Sequence, residues 1–169
     1  VDSAAHPAMF ATILLGTAHL HRSPSASVEG VERRLARISR MPHRGRLIVA
    51  VPAISAHGSK VADLAELSAL ARQYRALLVV DVTHDLGALG PLGRGQAEIQ
   101  SCLNRIDVLL GSFAKTFGAS GGFAAFRDPG LKTALMQSPP HTTALSPVNA
   151  AAILAALDII AAPEGHRRR

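Results

Sequence analysis

Leu77-Leu78-Val79-Val80-Asp81-Val82-Thr83-His84-Asp85 and, further along, Gly111-Ser112-Phe113-Ala114-Lys115-Thr116-Phe117-Gly118 decide how this chain is read. The first is a short, β-branched apolar run that ends in a carboxylate. Its apolar residues are continuous rather than alternating, which predicts a strand buried on both faces, as in a parallel sheet. A histidine follows three residues after Asp81, and a glycine-spaced loop runs from Gly87 to Gly95. The second segment carries Lys115, one of three lysines (with Lys60 and Lys132) against fifteen arginines. An apolar, glycine-bounded setting is an unusual place for a solvated charge.

Outward from this centre, strands and helices alternate. Upstream, Leu47 to Val51 is a second continuous apolar run and predicts another buried strand. The segment between the two strands carries Leu64, Leu67, Leu70 and Ala71 at helical spacing. Val28, Val31, Leu35 and Ile38 repeat at threes and fours after a serine cap, Ser25 or Ser27, and Pro42 and Gly45 stop that helix. Residues 6–16 predict a first helix, and 18–21 a short strand. Downstream, 106–110 and 121–126 predict strands and 131–137 a short helix. The alanine-rich stretch 148–161 predicts a longer helix, stopped by Pro163-Glu164-Gly165. Strand, helix and strand in succession indicate an α/β fold, a mostly parallel sheet with helices on both faces. No repeat or interior linker divides residues 1–169, which predicts a single domain.

Composition narrows the function. Hydrophobic residues make up 48% of the 169 and charged residues 18%, a globular balance. No apolar run approaches the roughly 20 residues of a membrane-spanning helix, and the first residues show no secretory signal. A single cysteine, Cys102, excludes an internal disulfide and a cysteine-based zinc site, and favours a reducing, cytoplasmic setting. The formal charge is +6, half of it from Arg167-Arg168-Arg169; with aromatic residues at 4%, no nucleic-acid surface is indicated. His19 and His21 alternate as metal ligands can, but no acid cluster accompanies them, so no metal site is expected. The spacing of Gly87 to Gly95 fits neither the dinucleotide-binding nor the P-loop pattern.

Ligands of open α/β sheets bind beyond the carboxyl ends of the strands. Asp81 falls at such an end, Lys115 just past another, and Ser55 just past a third. An acid, an amine and a hydroxyl from three loops are what a pyridoxal phosphate site needs: the amine forms a Schiff base, and the carboxylate keeps the pyridine nitrogen protonated.

These residues resemble a known family. Asp81-Val82-Thr83-His84, Gly90-Pro91-Leu92-Gly93-Arg94-Gly95, Gly111 to Gly118 and Gly121-Gly122-Phe123 are similar to segments of the α-oxoamine synthases. These are fold type I pyridoxal 5'-phosphate enzymes that condense an amino acid with an acyl thioester and release carbon dioxide. The likeness extends over Asp2 to His6, Leu47 to Gly58, and Thr142 to Pro147 with the helix after it. It implies that Lys115 carries the cofactor, that Asp81 pairs with its pyridine nitrogen, and that His84 and Ser55 lie near its phenolic oxygen. It further implies that His6 stacks on the ring, that Ser112 contacts the phosphate, and that Thr142 and Thr143 reach the phosphate held by the partner subunit of a homodimer. The catalytic residues it implies are Lys115, Asp81 and His84. The substrates it implies are an amino acid and an acyl-CoA or acyl-carrier-protein thioester.

The family usually has Asp-Glu-Ala-His where this chain has Asp81-Val82-Thr83-His84, and Met-Asp-Gly-Asp where it has Ala56-His57-Gly58-Ser59. Its members are more than twice as long. The resemblance therefore implies the central part of a large domain, with a glycine-rich N-terminal segment and a C-terminal small domain outside it. An aminotransferase of the same fold, and a truncated domain without catalysis, are the other readings.

Overall fold

The computed structural model describes residues 1–14, 16, 18–42, 45–137 and 144–162. Four strands form one sheet in the order β1 (Ile48–Pro52), β2 (Leu77–Asp81), β3 (Val108–Ser112) and β4 (Gly122–Phe126). The first three are parallel, in a register that sets Pro52 beside Asp81 and Asp81 beside Leu110. β4 returns antiparallel to β3, with Gly111 opposite Phe123 and Ser112 opposite Gly122.

Among the described residues six helices accompany the sheet: α1 (Pro7–Leu14), α2 (Val28–Ser39), α3 (Leu64–Gln73), α4 (Gln96–Ile99), α5 (Pro129–Met136) and α6 (Pro147–Ala161). Their starts follow from side chains that accept otherwise orphaned N–H groups. Ser27 caps α2 through Gly30 N, Asp63 caps α3 through Glu66 N at 2.8 Å, and Asp128 and Ser146 cap α5 and α6, each followed by a proline. Of the two serines expected before α2, the cap is Ser27.

One face of the sheet carries the core. Val49 and Val51 of β1, with Leu78 and Val80 of β2, pack against Leu64, Leu67, Leu70 and Ala71 of α3, and α2 adds Val31 and Leu35. Leu78 and Val80 are fully enclosed, each worth about 1.5–3 kcal/mol of burial. The other face presents Ala50, Val79 and Leu110 to a cleft of about 1110 Å³, bordered by Met9 and Ile13 of α1 and Ile38 of α2. Ile48 on this face is 56% exposed. Beyond Ile48 the continuous apolar run of β1 is buried on both sides, Ala50 included, as expected, whereas β2 alternates between buried Leu78 and Val80 and half-buried Leu77, Val79 and Asp81.

Two expected boundaries change. Residues 18–21 form no strand; the chain there is held by Val1 N donating to His21 O and by a parallel bridge between Asp2 and Ser23. β3 begins at Val108, because Ile106 closes a 3-10 turn over Leu103–Arg105 and is itself buried in the core. The expected stop at Pro163-Glu164-Gly165 lies outside the described residues.

Candidate functional site

The carboxyl ends of β1, β2 and β3 are laced together. Ala53 N donates to Asp81 O at 2.9 Å and Val82 N to Leu110 O at 2.8 Å, which fixes Asp81 between its neighbours. The Asp81 side chain is half-buried and accepts from Thr83 N through Oδ1 at 3.0 Å. Among the described residues its hydrogen bonding stops there, so Oδ2 keeps its lone pairs for another donor.

The next residues explain the departure from Asp-Glu-Ala-His. Val82 is 1% exposed and belongs to the core. The Thr83 hydroxyl accepts from Ser112 N at 3.0 Å, joining the exit of β2 to the end of β3. A hydroxyl, which an alanine lacks, thus stitches the two loops that bear the acid and the amine. Composition and spacing did not single out Thr83; its polarity at a position where the family usually has alanine was the available signal. His84 follows, half-buried.

Lys115 sits three residues past Ser112, in a turn closed by Gly118 N donating to Lys115 O at 3.1 Å and Ala119 N to Phe113 O at 3.0 Å. Phe113 and Phe117 meet edge to face at 5.1 Å, and Phe117 is buried against Ile153 of α6. The two rings take the inner side of the turn and leave Lys115 on the outer side. Its side chain is exposed, contrary to the enclosure that its apolar neighbours suggest, and it makes no ion pair among the described residues. Ser112 Oγ accepts from Ala114 N at 3.1 Å and reaches Gly121 O at 3.4 Å.

Ser55 is buried, and its hydroxyl serves its own turn, donating to His57 O at 2.9 Å and accepting from Lys60 N at 3.0 Å. His6 is exposed at the start of α1, where Nδ1 accepts from Ala8 N at 3.2 Å. Its segment is anchored by the buried Asp2, which donates through its N–H to Ala50 O and accepts from Ala4 N and Ala26 N. Thr142 and Thr143 lie outside the described residues. The structure thus brings Asp81, Thr83 and Ser112 together by direct bonds, places Lys115 and His84 in the adjoining loops, and commits Ser55 and His6 to local turns.

Sequence reasoning passed over Asp85. It is completely buried, Oδ2 accepts from Gln96 N at the start of α4, and Oδ1 has no partner among the described residues. Burial pushes its carboxyl up to about 6, the nearby Asp81 charge pushes the same way, and the backbone N–H of Gln96 opposes both. Cys102, the lone thiol, is buried, and burial raises it as well; it packs in the core. No described group of three His, Cys, Asp or Glu could hold a metal ion.

An acid, an amine, an imidazole and a hydroxyl lie in the loops at the carboxyl edge of a parallel sheet, a donor set that fits pyridoxal phosphate. The Aminotransferase class I and II family model matches residues 15–169, and the chain belongs to this family. It is 31% identical over 170 residues to the 8-amino-7-oxononanoate synthase of Citrifermentans bemidjiense, covering 99% of this chain and 43% of that protein. It is 32% identical over 149 residues to the serine palmitoyltransferase of Sphingomonas paucimobilis, covering 87% and 35%. These relatives are α-oxoamine synthases. The solved structure of the S. paucimobilis serine palmitoyltransferase with a bound PLP-myriocin aldimine superposes with a TM-score of 0.88 at 27% identity, over 99% of this chain and 42% of that one. The fold is that of fold type I enzymes. The chain spans less than half the length of the relatives it matches.

Proposed function

We propose that this chain is the central part of the large domain of a pyridoxal 5'-phosphate-dependent acyltransferase of the α-oxoamine synthase type. Its reaction joins an amino acid to an acyl-CoA or acyl-carrier-protein thioester with loss of carbon dioxide. The observation that carries the reading is the lacing of Asp81 and the Lys115 turn at one sheet edge, through Thr83 and Ser112, in a chain similar along 99% of its length to an 8-amino-7-oxononanoate synthase.

When bound, the cofactor supplies an electron-withdrawing ring that stabilises negative charge at the substrate α-carbon. Lys115 Nζ would hold the cofactor and would move the α-proton of the substrate. Asp81 Oδ2 would hold the proton on the ring nitrogen, and His84 and His6 would help to hold the ring. Ser55 would border the ring's phenolic oxygen, and donating to it requires giving up the bond to His57 O. Ser112 contacts the phosphate, with Thr142 and Thr143 serving the partner's site in a homodimer. The apolar surface of α6, with Val148 81% and Leu154 62% exposed, supports such an interface. Among the described residues no helix is long and apolar enough to cross a membrane, and a cytoplasmic setting agrees with the single buried thiol.

The family match also favours a second reading, an aminotransferase of the same fold. Carbon dioxide and free thiol as products mark the synthase, and a keto acid marks the aminotransferase. The test of the site is reductive trapping: pyridoxal phosphate, then borohydride, then peptide mapping. Selective labelling of Lys115, abolished by Lys115→Ala and retained in Lys132→Ala, is expected. Labelling spread over Lys60, Lys115 and Lys132, or none, overturns the proposal.

A further inference from the structure

The Lys115 turn rests on more than its own strand. The loop from Asp85 to Gly95 carries four glycines with positive φ: Gly87 at 80°, Gly90 at 86°, Gly93 at 72° and Gly95 at 70°. It is cinched by Gly87 N donating to Gly93 O at 2.7 Å and by Gly95 N donating to Leu89 O at 2.9 Å.

Two carboxylates then strap it. Glu98 accepts from Leu92 N and Arg94 N at 3.0 Å, and Asp85 accepts from Gln96 N. Both approaches require glycine opposite: a Cβ at Gly90 would meet Glu98 Oε2 at 2.5 Å, and one at Gly95 would meet Asp85 Oδ2 at 2.3 Å. The backbone is therefore fixed from within the loop.

At Gly87 and Gly93 the loop offers bare backbone, and two side chains sit against it. A Cβ at Gly87 would come within 2.9 Å of both Thr116 Cγ2 and Ile160 Cδ1; one at Gly93 would come within 2.9 Å of Ile160 Cγ2 and find no atom of Thr116 closer than 3.8 Å. Thr116 is the residue after Lys115. Ile160 belongs to α6, which also packs on Phe117.

We propose that this strapped glycine loop is the seat of the Lys115 turn, and that Gly87 and Glu98 are positioning residues that act through Thr116. Gly87 admits the Thr116 methyl, and Glu98 keeps the loop from yielding to it. The consequence for cofactor capture rests on Lys115 being the amine that binds pyridoxal phosphate; the mechanical statement stands without it.

The two glycines supply a matched pair. Gly87→Ala and Gly93→Ala share a positive φ, hence similar backbone strain, and both press on Ile160, but only Gly87→Ala presses on Thr116. Hydrogen–deuterium exchange of the Gly118 and Ala119 amides is read in the intact protein. Gly87→Ala is expected to speed it about tenfold, and Gly93→Ala to leave it within about twofold, with similar melting temperatures for the two. Adding Thr116→Ser to Gly87→Ala, which removes Cγ2, restores slow exchange. If Gly87→Ala does not fold, Glu98→Ala decides: faster exchange at Gly118 and Ala119 supports the seat, and unchanged exchange overturns it. Equal effects from both glycine variants, or none, also overturn it. Borohydride trapping of the same variants reads the second half: slower Lys115 labelling in Gly87→Ala alone supports positioning, and equal labelling in both variants refutes it. A parent protein that is not labelled at Lys115 overturns the cofactor reading, and the exchange result still decides the seat.

Discussion

The backbone N–H of Ser112 donates to the hydroxyl of Thr83, 29 residues earlier, over 3.0 Å. Asp81 accepts from the N–H of that same Thr83. One residue therefore sets the acid on one side and the entry to the lysine turn on the other, so errors in either loop are shared by both.

Thr83→Val keeps the shape of the side chain and removes the acceptor, leaving Ser112 N unpaired in a half-buried site. A loss of about 1 kcal/mol in unfolding free energy is expected, and Thr83→Ser should retain most of the stability. Urea unfolding of the three proteins checks this; a Thr83→Val midpoint equal to that of the parent would show that water replaces the bond without cost.

Asp85 gives the pH dependence. Its carboxyl is raised from 3.8 to about 6, with burial as the main cause, so between those values the folded protein binds a proton that the unfolded chain has released. Its contribution to stability is therefore greatest in acid and is lost as pH rises from about 4 to about 6, then stays flat. The displacement corresponds to about 3 kcal/mol. Asp85→Asn still offers an oxygen to Gln96 N and removes the titration. The difference between the two stability curves should slope across pH 4–6 and be level above; a level difference throughout would place the ionisation elsewhere.

What the sequence disclosed and what it hid divide along physical lines. β2 was legible to its last residue, because an apolar run ending in Asp81 has one economical reading, and α3 was legible from Leu64, Leu67, Leu70 and Ala71. Residues 18–21 imitate a strand through alternation, yet hydrogen bonds from elsewhere decide their path, Val1 N to His21 O and the Asp2–Ser23 bridge. The site residues were legible as chemistry and less so as geometry. Ser55 reads as an open hydroxyl in sequence, and its engagement with His57 O depends on the turn closing. Asp85 gave no signal of its own, because its burial depends on Gly95 ten residues away offering no Cβ.

Gly111, which precedes Ser112 on β3, faces Phe123 across the antiparallel pair, and a Cβ there would come within 2.3 Å of that ring. Phe123 in turn lies 5.5 Å from Phe113, at the base of the Lys115 turn. Gly111→Ala must displace an aromatic ring that is held on its far side, an overpacking that costs about 1–3 kcal/mol. Phe123→Leu in the same protein removes the ring atoms in conflict and should recover part of that loss, although Phe123→Leu alone is destabilising because it abandons the contact with Phe113. A double-mutant cycle by thermal unfolding measures the sign of the coupling. A favourable coupling between Gly111→Ala and Phe123→Leu would show that the glycine is required by the ring opposite, whereas simple additivity would show that the strand relaxes locally and the Lys115 turn does not depend on the pair.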